Sequence, residues 1–214
     1  MSSPADLHVP TAVVPDRAAA TRERILETAE ALLRRHGPAT TSVVDVARAL
    51  GMSHANVYRH FASKAELQDA VAERWLHRVS DPLGEIVRGP GPAAERLERW
   101  VMALFAAKRE KVTADPELFA TFDALVAAAR GVVDAHVATL RAHVTEIVRD
   151  GVARGEFAPT DPVAAADAVL DATSRFHHPH HVRESAARGT RDADEERAAR
   201  RVVALLVAGL RAGA

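Results

Sequence analysis

Cysteine is absent from the 214-residue chain. That removes disulfides, thiolate zinc sites and cysteine nucleophiles together, and suits a reducing compartment. Aromatic residues make up only 4% of the chain against 48% hydrophobic residues overall, which argues for helices packed through small side chains and against a β-sandwich. No apolar run approaches the roughly 18 residues of a membrane-crossing helix. The longest, VVALLVAGL at 202–210, is about half a span. The first residues lack a basic region followed by an apolar core, so 1–16 is expected to be a disordered arm and not a secretory signal. Catalytic signatures are missing too. There is no serine elbow, no glycine loop followed by Lys-Ser/Thr, and no His-x-x-x-His with an adjacent Glu. The expectation is a cytoplasmic protein that is not an enzyme and has no membrane partner.

What is present is punctuation for helices. Within TTSVVDVARALGMSHANVYRHFASK, Ser42 can cap one helix, with Asp45 approximating a capping box. Val43, Val46, Ala47 and Leu50 fall on one helical face, and Gly51 can end the helix in the left-handed conformation. Ser53 can cap a second helix, 53–60, with Val57 and Phe61 turned inward and His54, Asn56, Tyr58, Arg59 and His60 outward. Two short helices joined this way form a helix-turn-helix, whose second helix lies in the DNA major groove. Charge is distributed to match. Residues 17–64 hold eight Arg/Lys and four acids, giving +4, while the whole chain carries −1, leaving −5 elsewhere. A basic end on an acidic body is the asymmetry expected where one end meets phosphates.

This stretch resembles the DNA-binding domain of the TetR family of bacterial repressors, on the turn, the Tyr58-x-x-Phe61 pair and Lys64 at the start of the next helix. The resemblance is close over about residues 20–75 and covers only architecture beyond. It implies an all-α fold of about nine helices: a helix-turn-helix domain over 17–80 and a ligand-binding and dimerisation domain over 93–214. Where many members carry Gly early in the recognition helix, this chain has Ala55 and Asn56, which bears on operator sequence and not on fold. Asn56 suits two bonds to adenine, and Ala55 a thymine methyl. Ser53 and His54 open the same helix. The family uses positions matching Tyr58 and His60 for phosphate, and Thr41 and Lys64 flank the motif near helix N-termini. The implied partners are a palindromic double-stranded operator, a small-molecule effector and a second copy of the chain.

The other helices are expected over 17–36, stopped by Gly37–Pro38, and from Ser63 to about 80. RGPGPA at 88–93 then breaks the chain. Helices follow over 93–113, 116–129 (capped by Asp115), about 132–153 (loosened at its end by Gly151 and Gly155), 162–178 (capped by Asp161) and 194–210, with 184–193 polar and mobile. Ala164, Ala165, Ala168, Val169 and Ala172 suit close approach between helices, with Val202, Leu205, Leu206 and Leu210 as the apolar partner stripe. The resemblance implies that these two helices pair with their copies in a dimeric four-helix bundle, the alternative being that both close the monomer core.

The resemblance implies an effector pocket among the middle helices, for which the candidates are Trp100, Met102, Phe105, Phe119, Phe122 and Phe176, each of which reads more readily as a core filler, together with His136 and His177. His136 and His143 share one helical edge, and Asp167, Asp171 and His178 share a face if that helix reaches 178. His136, His143, Asp171 and His178 could offer zinc or nickel ligands. The plainer reading pairs Asp171 with Arg175, sets the histidines near a helix end and lets Pro179 stop the helix. A metal-responsive regulator, a metal-dependent enzyme and a ligand-blind architectural DNA binder are the rival classes. The last needs basic charge over the whole chain, which is not present.

Overall fold

Caps and glycines set the element order. The computed structural model describes residues 17–114 and 116–213, and shows α-helices with no strand among them. The arm expected over 1–16 and the Asp115 cap lie outside the described residues. α1 (Arg17–Thr40) leaves helical geometry at Gly37 (φ 77°), where the Gly-Pro signal stands. α2 (Val43–Leu50) opens on the full capping box: Ser42 Oγ accepts from Asp45 N at 3.2 Å, and Ser42 N donates to Asp45 Oδ2 at 3.0 Å. It ends at Gly51 with φ 64°, a conformation that disfavours any other residue. α3 (His54–Tyr58) is capped by Ser53, and α4 (Lys64–Arg88) by Ser63 with Glu66 reaching back to Ala62 N at 2.6 Å.

α4 does not stop near residue 80. It runs on through Pro82, because Val79, Leu83 and Val87 continue its buried stripe, and that burial outweighs the roughly 3 kcal/mol a proline costs inside a helix. The Gly-Pro break follows as a loop whose Pro90 and Gly91 carbonyls accept from Arg99 and Arg154. α5 (Ala93–Ala114), α6 (Pro116–Ala128), α7 (Arg130–Ala153), α8 (Pro162–His177), α9 (Pro179–Ala187) and α10 (Asp192–Ala212) complete the body. The main core joins α4, α5, α7, α8 and α10 through Leu83, Leu97, Trp100, Val144, Val169 and Val203.

The expected all-α architecture is what the structure shows, with ten helical elements among the described residues because Pro179 starts a short helix as well as ending one. Two further expectations need correction. The segment 184–193 is tied down: buried Arg109 donates to Asp192 Oδ1 at 2.6 Å, Thr190 O at 2.7 Å and Ser185 Oγ at 3.3 Å. Gly151 lies inside α7 and does not loosen it. A Cβ there would collide with the Phe157 ring and approach Ala93 Cβ to 2.9 Å, so the glycine lets Phe157 fold back onto the core.

α6 is short but bridges the molecule. Phe122, Leu125 and Ala129, at its end, pack with Ile25, Leu33, Val46, Phe61 and Val71 in the helix-turn-helix core. Trp75 of α4 stacks on Phe122 at 5.4 Å and 13°. Elsewhere on the body, Ala164, Ala168 and Ala172 of α8 and Leu205 of α10, 75% exposed, remain uncovered. Val203 and Leu210 turn into the monomer core, with Leu206 packed against it. Among the described residues, no helix is long and apolar enough to cross a membrane.

Candidate nucleic-acid interface and body interior

The outer face of α3 is set by what its inner face buries. Val57 and Phe61 are fully buried, and Arg22 of α1 lies 4.8 Å over the Phe61 ring, which fixes the helix against α1. Ser53, His54, Ala55, Tyr58 and Arg59 are left exposed, Tyr58 to 48%, and Asn56 and His60 are half-buried. Asn56 is engaged within the chain: its Oδ1 accepts from Arg59 and its Nδ2 lies 3.6 Å from Met52 Sδ. Two bonds to an adenine therefore require Arg59 to let go. Arg17, Thr21 and Arg24 of α1 line the groove beside Asn56, Arg59 and His60, so the cationic surface is wider than the motif. Nothing in the spacing of these α1 arginines marks them out in the sequence from a solvated helix face.

Lys64 stays near this face, with Nζ donating to Ala39 O at 3.2 Å and two further protons free to meet a phosphate. Thr41 is different. It is buried, and both its hydroxyl (2.9 Å) and its backbone N–H (3.3 Å) donate to Gly37 O. A phosphate needs donors, and Thr41 has none left, so its place is the α1–α2 corner.

The proposed effector residues do not form one pocket. Trp100 is in the main core, donating from Nε1 to His143 Nδ1 at 3.4 Å. Phe105 and Phe176 meet edge to face at 6.4 Å beside Met102. Phe119 packs with Val112 and Val182, and Phe122 belongs to the junction with the DNA-binding part. His136 is buried, and among the described residues neither of its ring nitrogens has a hydrogen-bond partner. Burial, aided by the Lys108 charge, pushes it down to about 3. His177, whose Nε2 lies 3.2 Å from Leu170 O, is pushed down by burial to about 4.

Nor do the expected metal ligands gather. α8 ends at His177, so His178 leaves the helical face and caps α9 instead, its Nδ1 accepting from His180 N at 3.3 Å. Arg175 pairs with buried Glu195 at 3.0 Å and not with Asp171. Among the described residues the trio able to hold an ion is His180, His181 and Glu184, with ligand atoms within 4.8 Å of one another. All three are exposed, and Glu184 is paired with Arg188.

Residues 25–71 match the family described as bacterial regulatory proteins, tetR family, and residues 93–202 match the tetracyclin repressor-like C-terminal domain. The chain belongs to the TetR family. Among curated relatives of this TetR-family chain is the HTH-type transcriptional repressor KstR2 of Mycobacterium tuberculosis, 34% identical over 86 residues, which are 40% of this chain and 43% of the relative. Another is the HTH-type transcriptional regulator TtgR of Pseudomonas putida, 37% identical over 68 residues, 32% of each. The chain thus spans under half the length of these relatives. Two solved structures share the fold: a chain from Pseudomonas aeruginosa PAO1 (TM-score 0.66, 23% identity, covering 93% of this chain and 94% of that one) and SmeT in complex with triclosan (TM-score 0.62, 20% identity, 87% and 91%).

Proposed function

We propose that this TetR-family chain is a transcriptional regulator that binds a two-fold DNA operator as a homodimer and is released by a small-molecule effector held in the helical body. The observation that carries this is the outer face of α3, where Ser53, His54, Ala55, Tyr58 and Arg59 stand exposed beside Arg17 and Arg24 of α1. Base edges are read by such first-turn side chains, and flanking cations hold the phosphates. The uncovered Ala164, Ala168, Ala172 and Leu205 face supports a second copy, since small residues let paired helices approach closely. The bridging position of α6 supports the coupling, because a change inside the body reaches Phe122 and so the helix-turn-helix core. The names of the relatives, a repressor and a regulator, agree with a non-enzymatic role.

The test is a footprint on DNA flanking the chain's own coding region, with light scattering on the same sample. The expected result is twice the chain mass and protection of two half-sites about 10 base pairs apart, or a multiple of that. A monomer that protects no palindromic DNA, while remaining helical by circular dichroism, defeats the reading.

A further inference from the structure

The histidines of FHHPHHV stand where a helix dipole does not explain them. α8 ends at His177, so His180 and His181 fall in the first turn of α9, just after Pro179. Cations are favoured at a helix C-terminus and disfavoured at its N-terminus, so an imidazolium gains nothing there. Core packing does not explain them either, since both rings are exposed. Among the described residues no hydrogen bond reaches either ring; they meet each other at 5.5 Å between centroids, and His181 meets His178 at 5.4 Å.

The other two histidines of the run are committed. His177 Nε2 lies 3.2 Å from Leu170 O, and His178 Nδ1 accepts from His180 N at 3.3 Å. A neutral imidazole that accepts at Nδ1 carries its proton on Nε2, so His178 has no lone pair left for an ion. His180 and His181 do, and Glu184 follows one turn on. The ligand atoms of these three all lie within 4.8 Å of one another. A zinc ion at about 2.0–2.1 Å from each would hold them roughly 3.4 Å apart, a closure that rotation of exposed side chains supplies. The backbone beneath them is fixed from its other face. Val182 is buried with Val112 and Phe119, and Arg183 is bonded to Asp123 of α6 at 2.8 Å.

We propose that His180, His181 and Glu184 bind one divalent late first-row ion, of the nickel, copper or zinc class, on the exposed side of α9. Two imidazoles and a carboxylate suit that class, whereas magnesium and calcium take oxygen ligands. Three ligands from one helical turn leave the remaining positions to water. Glu184 has a second task. The helix N-terminus opposes a dication as it opposes an imidazolium, and the carboxylate supplies the offsetting charge. In this structure Glu184 is bonded to Arg188, an exposed pair of small worth that an ion can displace. Arg188 is therefore a competitor for the same carboxylate. The site stands apart from operator and effector binding.

The test uses the full chain, free of any affinity tag and dialysed against chelator. Zinc, nickel and magnesium chlorides are titrated in by calorimetry, and thermal unfolding is followed with and without zinc. The expected result is one equivalent of zinc or nickel, a higher unfolding midpoint with zinc, and no saturable heat from magnesium. His181→Gln and Glu184→Gln should each weaken zinc by at least the roughly tenfold that loss of an outer hydrogen-bond partner costs a metal site. Arg188→Leu should tighten it severalfold by freeing Glu184, an effect that scattered surface histidines do not predict. Circular dichroism checks that each variant keeps its helices. Absence of a one-equivalent site, magnesium binding as tight as zinc, or zinc affinity unmoved by Arg188→Leu would each overturn the proposal. So would undiminished zinc binding by either His181→Gln or Glu184→Gln, which would leave adventitious surface binding only.

Discussion

At the scale of residues, the buried cations and histidines make stability depend on pH in a defined direction. His136 and His177 are held at about 3 and about 4 in the fold, against 6.5 in the unfolded chain. As pH falls below about 6.5 the unfolded chain takes up protons first. Stability is therefore complete above that value and is lost progressively toward pH 4 and below, by up to about 1.4 kcal/mol per unit for each group. Urea melts between pH 7 and 5, above the range where most carboxylates titrate, should show the slope, and His136→Leu should reduce it. Lys108 works against the fold at neutral pH, since it is charged in both states and desolvated only in one. Lys108→Met should therefore raise the unfolding midpoint, by about 1–3 kcal/mol equivalent. A destabilised Lys108→Met would mean the ammonium has a stabilising partner after all. On the DNA side, Arg59→Ala should weaken binding to all sequences and lower the salt slope by about one, whereas Asn56→Ala should relax one base pair per half-site at about 1–3 kcal/mol. A uniform loss from both would erase the division between base and phosphate contacts. The two helices of the motif and the exposed side of α3 were legible in the sequence because caps, Gly51 and the apolar spacing are all local. Thr41 was misplaced, because only the folded corner shows its hydroxyl committed to Gly37 O.

At the scale of elements, helix starts were easier to read than helix ends. Ser42, Ser53, Ser63 and Asp161 all cap as their side chains suggest, because a cap is decided within four residues. The end of α4 was not, because its passage through Pro82 depends on what α5 and α7 offer to Leu83 and Val87. α9 was missed for the same reason: Val182 is buried against Val112 and Phe119 from distant parts of the chain. Gly151 shows the opposite error, a glycine taken for looseness that is required by contact. Gly151→Ala should cost about 1–3 kcal/mol by overpacking against Phe157, read from the denaturation midpoint. Gly155, with nothing within 4 Å of a Cβ but φ at +71°, should pay only backbone strain when replaced, so a milder effect at 151 than at 155 would sink that contrast.

At the scale of the molecule, a second copy should cover Leu205. Leu205→Glu should yield a monomer by light scattering with helical content unchanged, and should lose operator affinity through the lost second half-site. A dimer that survives this substitution would place the interface elsewhere. The membership of α6 in the helix-turn-helix core bears on how chains of this family can be recombined. A natural-looking place to graft this reading head onto another sensor is the Gly-Pro loop after α4, yet a cut there strips Phe122, Leu125 and Ala129 from the wall they complete. The transplanted head would expose Trp75 and the apolar side of α1, and would aggregate or melt early. A working chimaera has to carry α6 along, with its new joint beyond Ala129, so that the portable unit for DNA reading is discontinuous in sequence and larger than the motif that announces it.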